Sequence, residues 1–350
     1  MPGAADRAVR RVTMLDERKA AILRAVVEEY IQTAQPVGSA RVVRAATVNA
    51  SAATVRNEMA TLEREGYLAQ PHTSAGRVPT DLGYRFFVDH LTAPGTLQPA
   101  KLRQVRDFFA TAHGELEQML HDTSRFLSTL TDCAAVVVGP PHQAASVRSV
   151  QVVGLTSHVA LLVAVLSNGV VEKRTLELAE VATHSQLEAA TTHLSTHLVG
   201  RTLSSLADLA PPPTTGDALA DAVVAAGLRS LGGSHHEEID HVFVGGASRM
   251  AAAFDTVDTV RGVLAILEQQ FVVVTLLRDV LDRGLSVAIG AEHGNESLSE
   301  CAVVVASYEL GEGEGGGTVG VVGPTRMNYP SALTAVALVS QRLGRYLNEG

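Results

Sequence analysis

The stretch "SAATVRNEMATLERE" at positions 51–65 carries side chains whose chemistry suits the bases and phosphates of DNA. An arginine can donate two hydrogen bonds to guanine O6 and N7, and an asparagine can pair with adenine N6 and N7. Arg56 and Asn57 supply one of each. Ser51 and Thr54 are placed to reach phosphate, helped by the exposed N–H groups of a helix start. Because base contacts come from the first turns of a recognition helix, the stretch predicts such a helix.

The spacing within this stretch separates a core face from a free face. Val55, Met59 and Leu62 recur at helical spacing and are expected in a core. Small residues on the opposite face would let the helix backbone come close to a groove. A solvated face with a capping serine is nevertheless the more common interpretation of an isolated helix like this. The free face consists of Ala53, Arg56, Asn57, Ala60 and Arg64.

A strand–loop–strand pattern follows the helix. "YLAQ" (67–70) predicts a short strand, "PHTSAGR" (71–77) a polar turn, and "VPT" (78–80) leads out of it. Gly76 is expected to permit a positive φ in this turn. Such a hairpin is typical of a wing that contacts phosphate or an adjacent minor groove. The hydrogen-bond donors that it offers are His72, Thr73, Ser74 and Arg77.

Helix caps and chain breaks define the elements that position these side chains. A first helix is predicted over 16–33, after which "QPVG" breaks the chain. Ser39 is placed to cap a short helix over 40–46, and it also joins the candidate DNA contacts. Ser51 can cap the helix over 52–65. A short helix, a tight turn and a second helix form a helix-turn-helix.

A fourth helix completes the predicted N-terminal domain. Gly66 ends the preceding helix, and Thr80 can cap the next one. The four elements together predict a winged helix-turn-helix over residues 1–95, and the combination outweighs the solvated-face interpretation. The apolar face of the fourth helix contains Tyr84, Phe87, Val88 and Leu91.

Composition and charge limit what the rest of the chain can be. Apolar residues make up 46 % of the 350 and charged residues 19 %, which indicates a globular protein of two or three domains. The net charge of −9 is uneven: residues 1–90 carry 12 Lys and Arg against 10 Asp and Glu, whereas residues 91–350 carry 16 against 27. The acidity of the whole chain is therefore a poor guide to what the first 90 residues bind.

Cysteine use and hydropathy indicate the compartment. Cys133 and Cys301 are far apart and allow neither a disulfide framework nor a CxxC metal pair, so a reducing cytoplasm fits best. The N-terminal segment lacks the apolar region of a signal peptide. No uncharged apolar run reaches membrane-spanning length. The sequence thus predicts a cytoplasmic protein without membrane contact.

The remainder predicts an α+β multidomain fold. After a linker at 92–99, a helical pattern over 102–130 precedes four strand-like runs between residues 133 and 178 and a helix over 185–199. Three strands between residues 285 and 324 and a final helix over 332–347 complete a sensor-like α/β layer.

Residues 208–283 interrupt this pattern. Helices over 217–231, 257–270 and 272–282 surround one strand, "HVFVGG". The apolar excess of these helices is equally consistent with a buried helix pair and with a subunit interface.

Signals for enzymatic chemistry are weak. His193 and His197 have metal-ligand spacing, but no Glu or Cys nearby completes a site, and a surface helix explains them better. The glycine-rich "GEGEGGGTVG" at 311–320 has no lysine, and its acids would repel phosphate. GxSxG and HExxH motifs are absent from the sequence. We therefore expect a non-enzymatic protein with no cofactor and no metal. A pocket for a small molecule in the α/β layer is an alternative that the sequence leaves open.

Three strings resemble the heat-inducible transcription repressor family HrcA. They are "VGSARVVR" (37–44), "SAATVRNEMATLEREGYLAQPHTSAGRVPTDLGYRFFVDHL" (51–91) and "GPTRMNYPSALTAV" (323–336). The resemblance implies a homodimeric repressor of chaperonin and Hsp70-type operons that binds double-stranded DNA at an inverted-repeat operator, the CIRCE element. It also implies the chaperonin GroEL as a modulator. The glycine- and glutamate-rich segment 311–317 departs from the family pattern and suggests a lengthened hairpin loop.

The resemblance also implies three domains. A winged helix occupies 1–95, a GAF-like domain 100–207 and 284–350, and an inserted dimerising domain 208–283. An alternative remains, in which a GAF-like domain binds a ligand or catalyses a reaction while the winged helix mediates only protein contacts. The heat response likewise has two explanations: unfolding of a marginally stable repressor or a conformational switch of the dimer.

Overall fold

A computed structural model describes residues 15–45, 48–72, 75–91, 97–111, 116–140, 145–167, 170–206, 209, 212–232, 242–251, 254, 256–284, 286–310 and 316–349. It is a mixed α/β structure. Its helices are α1 (Glu17–Thr33), α2 (Ser39–Val42), α3 (Ala52–Arg64), α4 (Asp81–Asp89), α5 (Pro99–Thr111), α6 (Leu116–Thr131), α7 (His184–Leu198), α8 (Leu203–Leu206), α9 (Ala218–Gly232), α10 (Ala247–Ala251), α11 (Val257–Glu268), α12 (Gln270–Asp282) and α13 (Tyr329–Glu349). Its strands are β1 (Leu68–Ala69), β2 (Val78–Pro79), β3 (Ala134–Val138), β4 (Val147–Thr156), β5 (Val159–Leu166), β6 (Val171–Glu177), β7 (Val242–Gly245), β8 (Val287–Ile289), β9 (Cys301–Glu309) and β10 (Gly316–Pro324).

The N-terminal unit, residues 15–91, consists of α1 to α4 and the β1–β2 hairpin. The first helix begins where the Asp16 side chain accepts a hydrogen bond from the Lys19 N–H, and it ends at Ala34, whose φ is 53°. The second helix is only four residues long, and its N-cap is Gly38. The prediction that Ser39 caps a helix over 40–46 was therefore wrong: Ser39 is the first helical residue. Residues 46 and 47 lie outside the described residues.

A five-stranded antiparallel sheet forms the centre of the molecule, with the order β7-β3-β10-β9-β8. All five residues of β3 are buried, because both faces of the sheet are covered. Ala135 and Val137 pack into one core with residues of α5, α6 and α13. Ala134, Val136 and Val138 pack into another core with residues of α11 and α12. This double burial explains why these strands are almost wholly apolar.

A separate three-stranded antiparallel sheet has the order β4-β5-β6. Its inward residues alternate with outward ones, and they share a core with α7 and α9 that is distinct from the other two. Its outward side, here called the outer face, has no helix against it within the described part of the chain. Along β5 the inward residues Ala160, Leu162, Ala164 and Leu166 are fully buried, while the outward ones are not. The outer face carries Val153, Leu155, Val159, Leu161, Val163, Val165 and Val171.

The two sheets divide the chain differently from the predicted domain boundaries. We expected residues 133–178 to join the sheet of the last strands, and the strand "HVFVGG" to belong to a separate insert. Instead, β7 pairs with β3 at the edge of the five-stranded sheet, and residues 145–231 hold a core of their own. The alternating pattern of β4 to β6 reflects a sheet covered on one side, whereas β3, β9 and β10 are buried on both.

One edge of the five-stranded sheet is only partly paired. Strand β8 covers residues 302–304 of the longer β9. Beyond this point, two carbonyl oxygens of β9 accept hydrogen bonds from α13. The Ser340 hydroxyl donates to the Ser307 carbonyl at 2.6 Å, and the Asn348 side-chain amide donates to the Glu309 carbonyl at 3.3 Å. A helix thus satisfies backbone groups that another strand would otherwise bind.

The two cysteines are buried and free, and burial raises the pKa of each thiol to about 12. No single described helix is long and apolar enough to cross a membrane. The α11–α12 pair, which bends by 90° between its two helices, satisfies that length and composition criterion only when both are taken together.

Candidate nucleic-acid interface

Helix α3 begins with the predicted serine cap. The Ser51 hydroxyl accepts a hydrogen bond from the Thr54 N–H at 3.2 Å, and the two hydroxyl oxygens are 2.9 Å apart. The cap leaves the remaining N–H groups of the first turn pointing outward from an exposed helix start. This confirms the cap and places both hydroxyls at the end of α3 that suits an anion.

The two faces of α3 are separated as the spacing predicted. Val55, Met59 and Leu62 are at most 1 % exposed and pack in the core. The opposite face is turned to solvent, with Ala60 half-buried and the other four members of the predicted set exposed. The four are Ala53, Arg56, Asn57 and Arg64.

Each carboxylate of α3, and that of its C-cap residue Glu65, is bound by a cation of the N-terminal unit. Glu58 accepts from the Arg18 guanidinium at 2.6 Å, and Glu65 accepts from the Lys19 ammonium at 3.1 Å. Glu63 binds Arg77 on the hairpin at 2.9 Å. The negative charges of the helix are therefore neutralised on the sides that face α1 and the hairpin. Its solvent face carries Arg56 and Arg64 without a competing carboxylate.

Two side chains on this face are free to bind another molecule. Within the described part of the chain, the side chains of Arg56 and Asn57 form no hydrogen bond and no ion pair. Arg64 is partly held, since its guanidinium donates to the Thr61 hydroxyl at 2.9 Å. An exposed, unpaired arginine beside an unpaired asparagine can form bidentate contacts with base edges.

Sequence reasoning missed Arg44, just after α2. Its side chain is exposed, and no carboxylate among the described residues binds it. The neighbouring Arg41 differs, because it pairs with Glu29 of α1 at 2.9 Å. The signal was present in the string "ARVVRA", where only one of the two arginines has an acidic partner, but the partner belongs to another helix. Arg44 is thus an additional candidate for phosphate contact.

The hairpin differs from its prediction at two residues. Arg77 does not extend into solvent, because it binds Glu63 and its side chain is only 16 % exposed. Gly76 is needed for a reason other than a positive φ: a Cβ there would lie 2.4 Å from the Val37 carbonyl oxygen. His72 is exposed as expected, whereas Thr73 and Ser74 lie outside the described residues. His72 is therefore accessible to DNA as predicted. Gly76 and Arg77 instead have structural roles within the hairpin that the sequence did not predict.

Backbone hydrogen bonds hold the hairpin against the turn before α2. The Val37 N–H donates to the Arg77 carbonyl and the Arg77 N–H donates to the Val37 carbonyl, each at 2.9 Å. Because Gly76 has no Cβ, the two backbones can approach this closely. The two-bond bridge thus fixes the hairpin to the turn before α2, and the Arg77–Glu63 ion pair fixes it to α3.

The histidine pair on α7 does not assemble a metal site. The rings of His193 and His197 are 4.4 Å apart, and His197 Nδ1 lies 2.8 Å from the His193 carbonyl oxygen. Among the described residues, no group of three or more His, Cys, Asp and Glu side chains is gathered as a metal site would require.

Comparisons with known proteins decide the family. Residues 117–333 match the family model for the HrcA protein C-terminal domain. A heat-inducible transcription repressor HrcA from Symbiobacterium thermophilum is 36 % identical over 339 residues, which cover 94 % of this chain and 98 % of that protein. The chain belongs to the HrcA family. A second HrcA, from Acidothermus cellulolyticus, is 39 % identical over 344 residues, covering 96 % of this chain and all of the relative.

HrcA proteins are heat-inducible transcription repressors, so this protein is a repressor of transcription and not an enzyme. The fold is shared with a crystal structure described only as a hypothetical protein. That structure aligns over 96 % of this chain and 99 % of its own, with a TM-score of 0.68 and 23 % sequence identity. It supports the overall fold of the chain.

Proposed function

We propose that the N-terminal unit is a winged helix-turn-helix and that a homodimer inserts α3 of each copy into the major groove of an inverted-repeat operator. The observation that carries this proposal is the solvent face of α3. Its two carboxylates and that of its C-cap residue are neutralised within the unit, while Arg56 and Asn57 are exposed and unpaired. A helix of this kind attracts phosphate and can still distinguish bases.

The proposed contacts fall into two groups. Arg56 and Asn57 contact base edges, and Ala53 and Ala60 allow the backbone to come close. Phosphate contacts come from the helix start and from the hairpin. Arg77 acts through Glu63 by holding the hairpin, since its guanidinium is already bound. The phosphate-contacting set is Ser39, Ser51, Thr54, Arg64, His72, Thr73 and Ser74, with Gly76 permitting the hairpin approach and Arg44 as an addition.

The dimer forms, in our proposal, through the outer face of the β4-β5-β6 sheet. Val153, Leu155 and Val171 on this face are 41 %, 57 % and 40 % exposed. Across the strands Val153 pairs with Leu161 and Val171 with Val165, whereas polar residues such as Gln151 and Lys173 flank Val163. Exposed apolar side chains gathered on one sheet face are typical of a subunit interface. We therefore propose a dimerising module at 145–232 instead of the 208–283 expected from the sequence. The five-stranded sheet with helices on both faces would be the GAF-like domain.

Family membership supports the regulatory target. We propose that the protein acts in the cytoplasm at a CIRCE-type operator upstream of chaperonin and Hsp70-type genes and represses them at normal temperature. We further propose that the chaperonin GroEL modulates the repressor. Blocking the operator requires only tight binding of the dimer, which is consistent with the absence of catalytic chemistry in this family.

Fluorescence anisotropy with an inverted-repeat operator duplex tests the proposal. The purified protein should bind the operator about 10³-fold tighter than a scrambled duplex, with affinity that falls steeply as salt rises. Arg56→Ala should cost roughly 1–3 kcal/mol and relax discrimination at one base position. Arg106→Ala, an exposed arginine on α5, is the matched control and should bind as the wild type does.

The chaperonin provides the second arm of this experiment. Equal and weak binding to both duplexes, which persists when the chaperonin is added, would refute the repressor mechanism proposed here. Operator binding that appears only with chaperonin would support modulation and place the resting protein in an inactive state.

A further inference from the structure

One arginine of helix α4 binds the N-terminal unit to the rest of the protein, the described residues from 97 to 349, here called the body. The Arg85 guanidinium donates from Nε to Glu292 Oε1 at 2.8 Å and from Nη2 to Glu292 Oε2. Its Nη2 also donates to the Val287 carbonyl at 2.8 Å. A bidentate pair with an added backbone acceptor fixes both the position and the plane of the guanidinium. The hydrogen bonds and charge of Glu292 raise the pKa of Arg85 despite the opposing effect of burial.

The start of α4 docks on the same turn of the body. Asp81 Oδ2 accepts from the Ala291 N–H at 3.4 Å. Gly290 has a φ of +53°, and a Cβ on it would lie 2.1 Å from Asp81 Oδ2. Any larger residue there would therefore be strained and would collide with the aspartate. These four residues, Asp81, Arg85, Gly290 and Glu292, are called the α4 clamp below.

Buried tyrosines lie beside the α4 clamp. The rings of Tyr84 and Tyr329 are 5.8 Å apart, and the Tyr329 hydroxyl donates to the Thr325 carbonyl at 2.6 Å. Both rings are at most 2 % exposed. The contact between the N-terminal unit and the body is thus a packed apolar patch flanked by a directional polar one.

The same helix is fixed to α3 and the hairpin. The Thr80 hydroxyl donates to the Gly66 carbonyl, just after α3, at 2.6 Å and accepts from the Gly83 N–H at 3.2 Å. Gly83 lies so close to the backbone that a Cβ would be 2.3 Å from the Tyr67 carbonyl oxygen. Because α4 cannot move without α3, the angle at which α4 docks on the body also sets the angle of α3.

We propose that Asp81 and Arg85 are positioning residues that determine which operator spacing the repressor accepts. The inference rests on the proposed function, since it requires two recognition helices in one dimer. The α4 clamp fixes the orientation of each α3 relative to the body, and the dimer fixes the two bodies relative to each other. Half-sites at the matching separation are then bound together, and half-sites at another separation are not.

The test compares duplexes with identical half-sites and different spacers, using the full-length protein. Wild-type protein should lose affinity sharply when the spacer changes by about 5 base pairs, half a helical turn. Glu292→Gln keeps the shape of the side chain and removes its charge. It should weaken binding at the natural spacing by about 10-fold, the loss expected if only one-tenth of the molecules keep the competent orientation. It should also flatten the spacer profile and leave affinity for a single half-site unchanged.

Three further variants make the result specific. Gly290→Ala disturbs the α4 clamp from the side of the body and should reproduce the flattened profile. The exchange Arg85→Glu with Glu292→Arg should restore part of the wild-type preference. Arg345 of α13 lines the same surface groove as Arg85 but lies outside the α4 clamp, so Arg345→Gln should leave the profile unchanged.

Two outcomes would overturn the assignment. A wild-type spacer profile in Glu292→Gln and Gly290→Ala would show that the α4 clamp does not set the spacing. Equal loss on every duplex, including the single half-site, would show a structural role only. If wild-type protein, with or without chaperonin, does not prefer the operator to a scrambled duplex, the proposed function itself fails, which is a distinguishable result.

Discussion

The five-stranded and three-stranded sheets use similar residues in different surroundings. Strand β3 consists of Val and Ala, and β5 of Val, Ala and Leu, yet every residue of β3 is buried and only alternate residues of β5 are. The first sheet lies between two helical layers, whereas the second has helices on one side only. Apolar content alone therefore does not distinguish a core strand from a strand that presents a surface.

Because helices cover one sheet on both sides and the other on one side only, we expect the two sheets to have different roles. The five-stranded sheet carries the turn that holds α4, so its rigidity orients the N-terminal unit. In the proposed dimer, the three-stranded sheet offers its outer face to a second copy of the chain. A disruptive substitution in the five-stranded sheet should therefore unfold the protein. A substitution on the outer face of the three-stranded sheet should affect only dimerisation.

The largest effect is expected from a charge within the doubly covered sheet. Val303 is fully buried on the side of α11 and α12, so Val303→Asp places an unpaired carboxylate there. We expect a loss of roughly 4 kcal/mol or more of unfolding free energy. Urea denaturation followed by circular dichroism measures it, and a wild-type midpoint would contradict the description of this sheet as covered on both faces.

The inner and outer faces of β5 provide the next comparison. Leu162 is fully buried under α7 and α9, whereas Leu161 belongs to the outer face. Leu162→Ala should lower the unfolding free energy by about 3 kcal/mol because it leaves a cavity. Leu161→Ala should cost much less in a monomeric sample at low concentration. If chemical denaturation gave the same loss of unfolding free energy for both variants, the two faces of β5 would not differ in burial as described.

A charge at the centre of the outer face tests assembly. Val163→Asp should weaken dimerisation by about 2 kcal/mol or more, the scale of a central interface residue, while the circular dichroism spectrum stays that of the wild type. Val257→Asp is the matched control, because Val257 is 71 % exposed on α11, away from this sheet. Sedimentation velocity should show a monomer for the first variant and a dimer for the second. A dimer in both would exclude the proposed interface.

The smallest effect is a pH dependence at the turn beside the five-stranded sheet. His293 is buried, and its Nδ1 accepts from the Asn295 N–H at 3.3 Å while Nε2 lies 3.0 Å from the Leu298 carbonyl oxygen. This arrangement suits a neutral ring with its proton on Nε2. Burial lowers the pKa of His293, although hydrogen bonds from the ring to backbone carbonyls and the charges of Asp81 and Glu292 act in the opposite direction.

The direction of this pH dependence follows from the linkage between protonation and folding. The unfolded chain takes up a proton near pH 6.5, before the folded state does, so stability falls as the pH drops below that value. We therefore expect the unfolding free energy of the wild type to decline as the pH is lowered from 7 to 5. His293→Gln should remove this slope in thermal denaturation between pH 7 and 5. His158→Gln, on the exposed turn of the three-stranded sheet, serves as the control, and an unchanged slope in His293→Gln would contradict the assignment.

Local signals in the sequence predicted local structure well. The caps at Ser51 and Thr80 are confirmed, as is the core face of α3. The strand over 133–139 and the helix over 185–199 lie within one or two residues of β3 and α7. These features depend on residues three or four positions apart, so periodicity and cap chemistry suffice to find them.

Long-range contacts could not be predicted in the same way. The Arg77–Glu63 ion pair reverses the expected exposure of Arg77, and Gly76 is explained only by the approach of Val37. Arg85 and Glu292 are 207 positions apart, and no local pattern links them. The pairing of β7 with β3 was missed for the same reason, because strand order depends on packing between distant segments.

The part of β9 that no strand pairs with is relevant to aggregation of the protein at high temperature. An open strand edge is a template for another chain, and exposed edges are a common origin of aggregation. Here Ser340 and Asn348 of α13 already occupy the carbonyl oxygens of Ser307 and Glu309, and the strand ends on a charged residue. We therefore expect a docked α13 to hinder two copies of the chain from pairing edge to edge along β9 when the protein is heated.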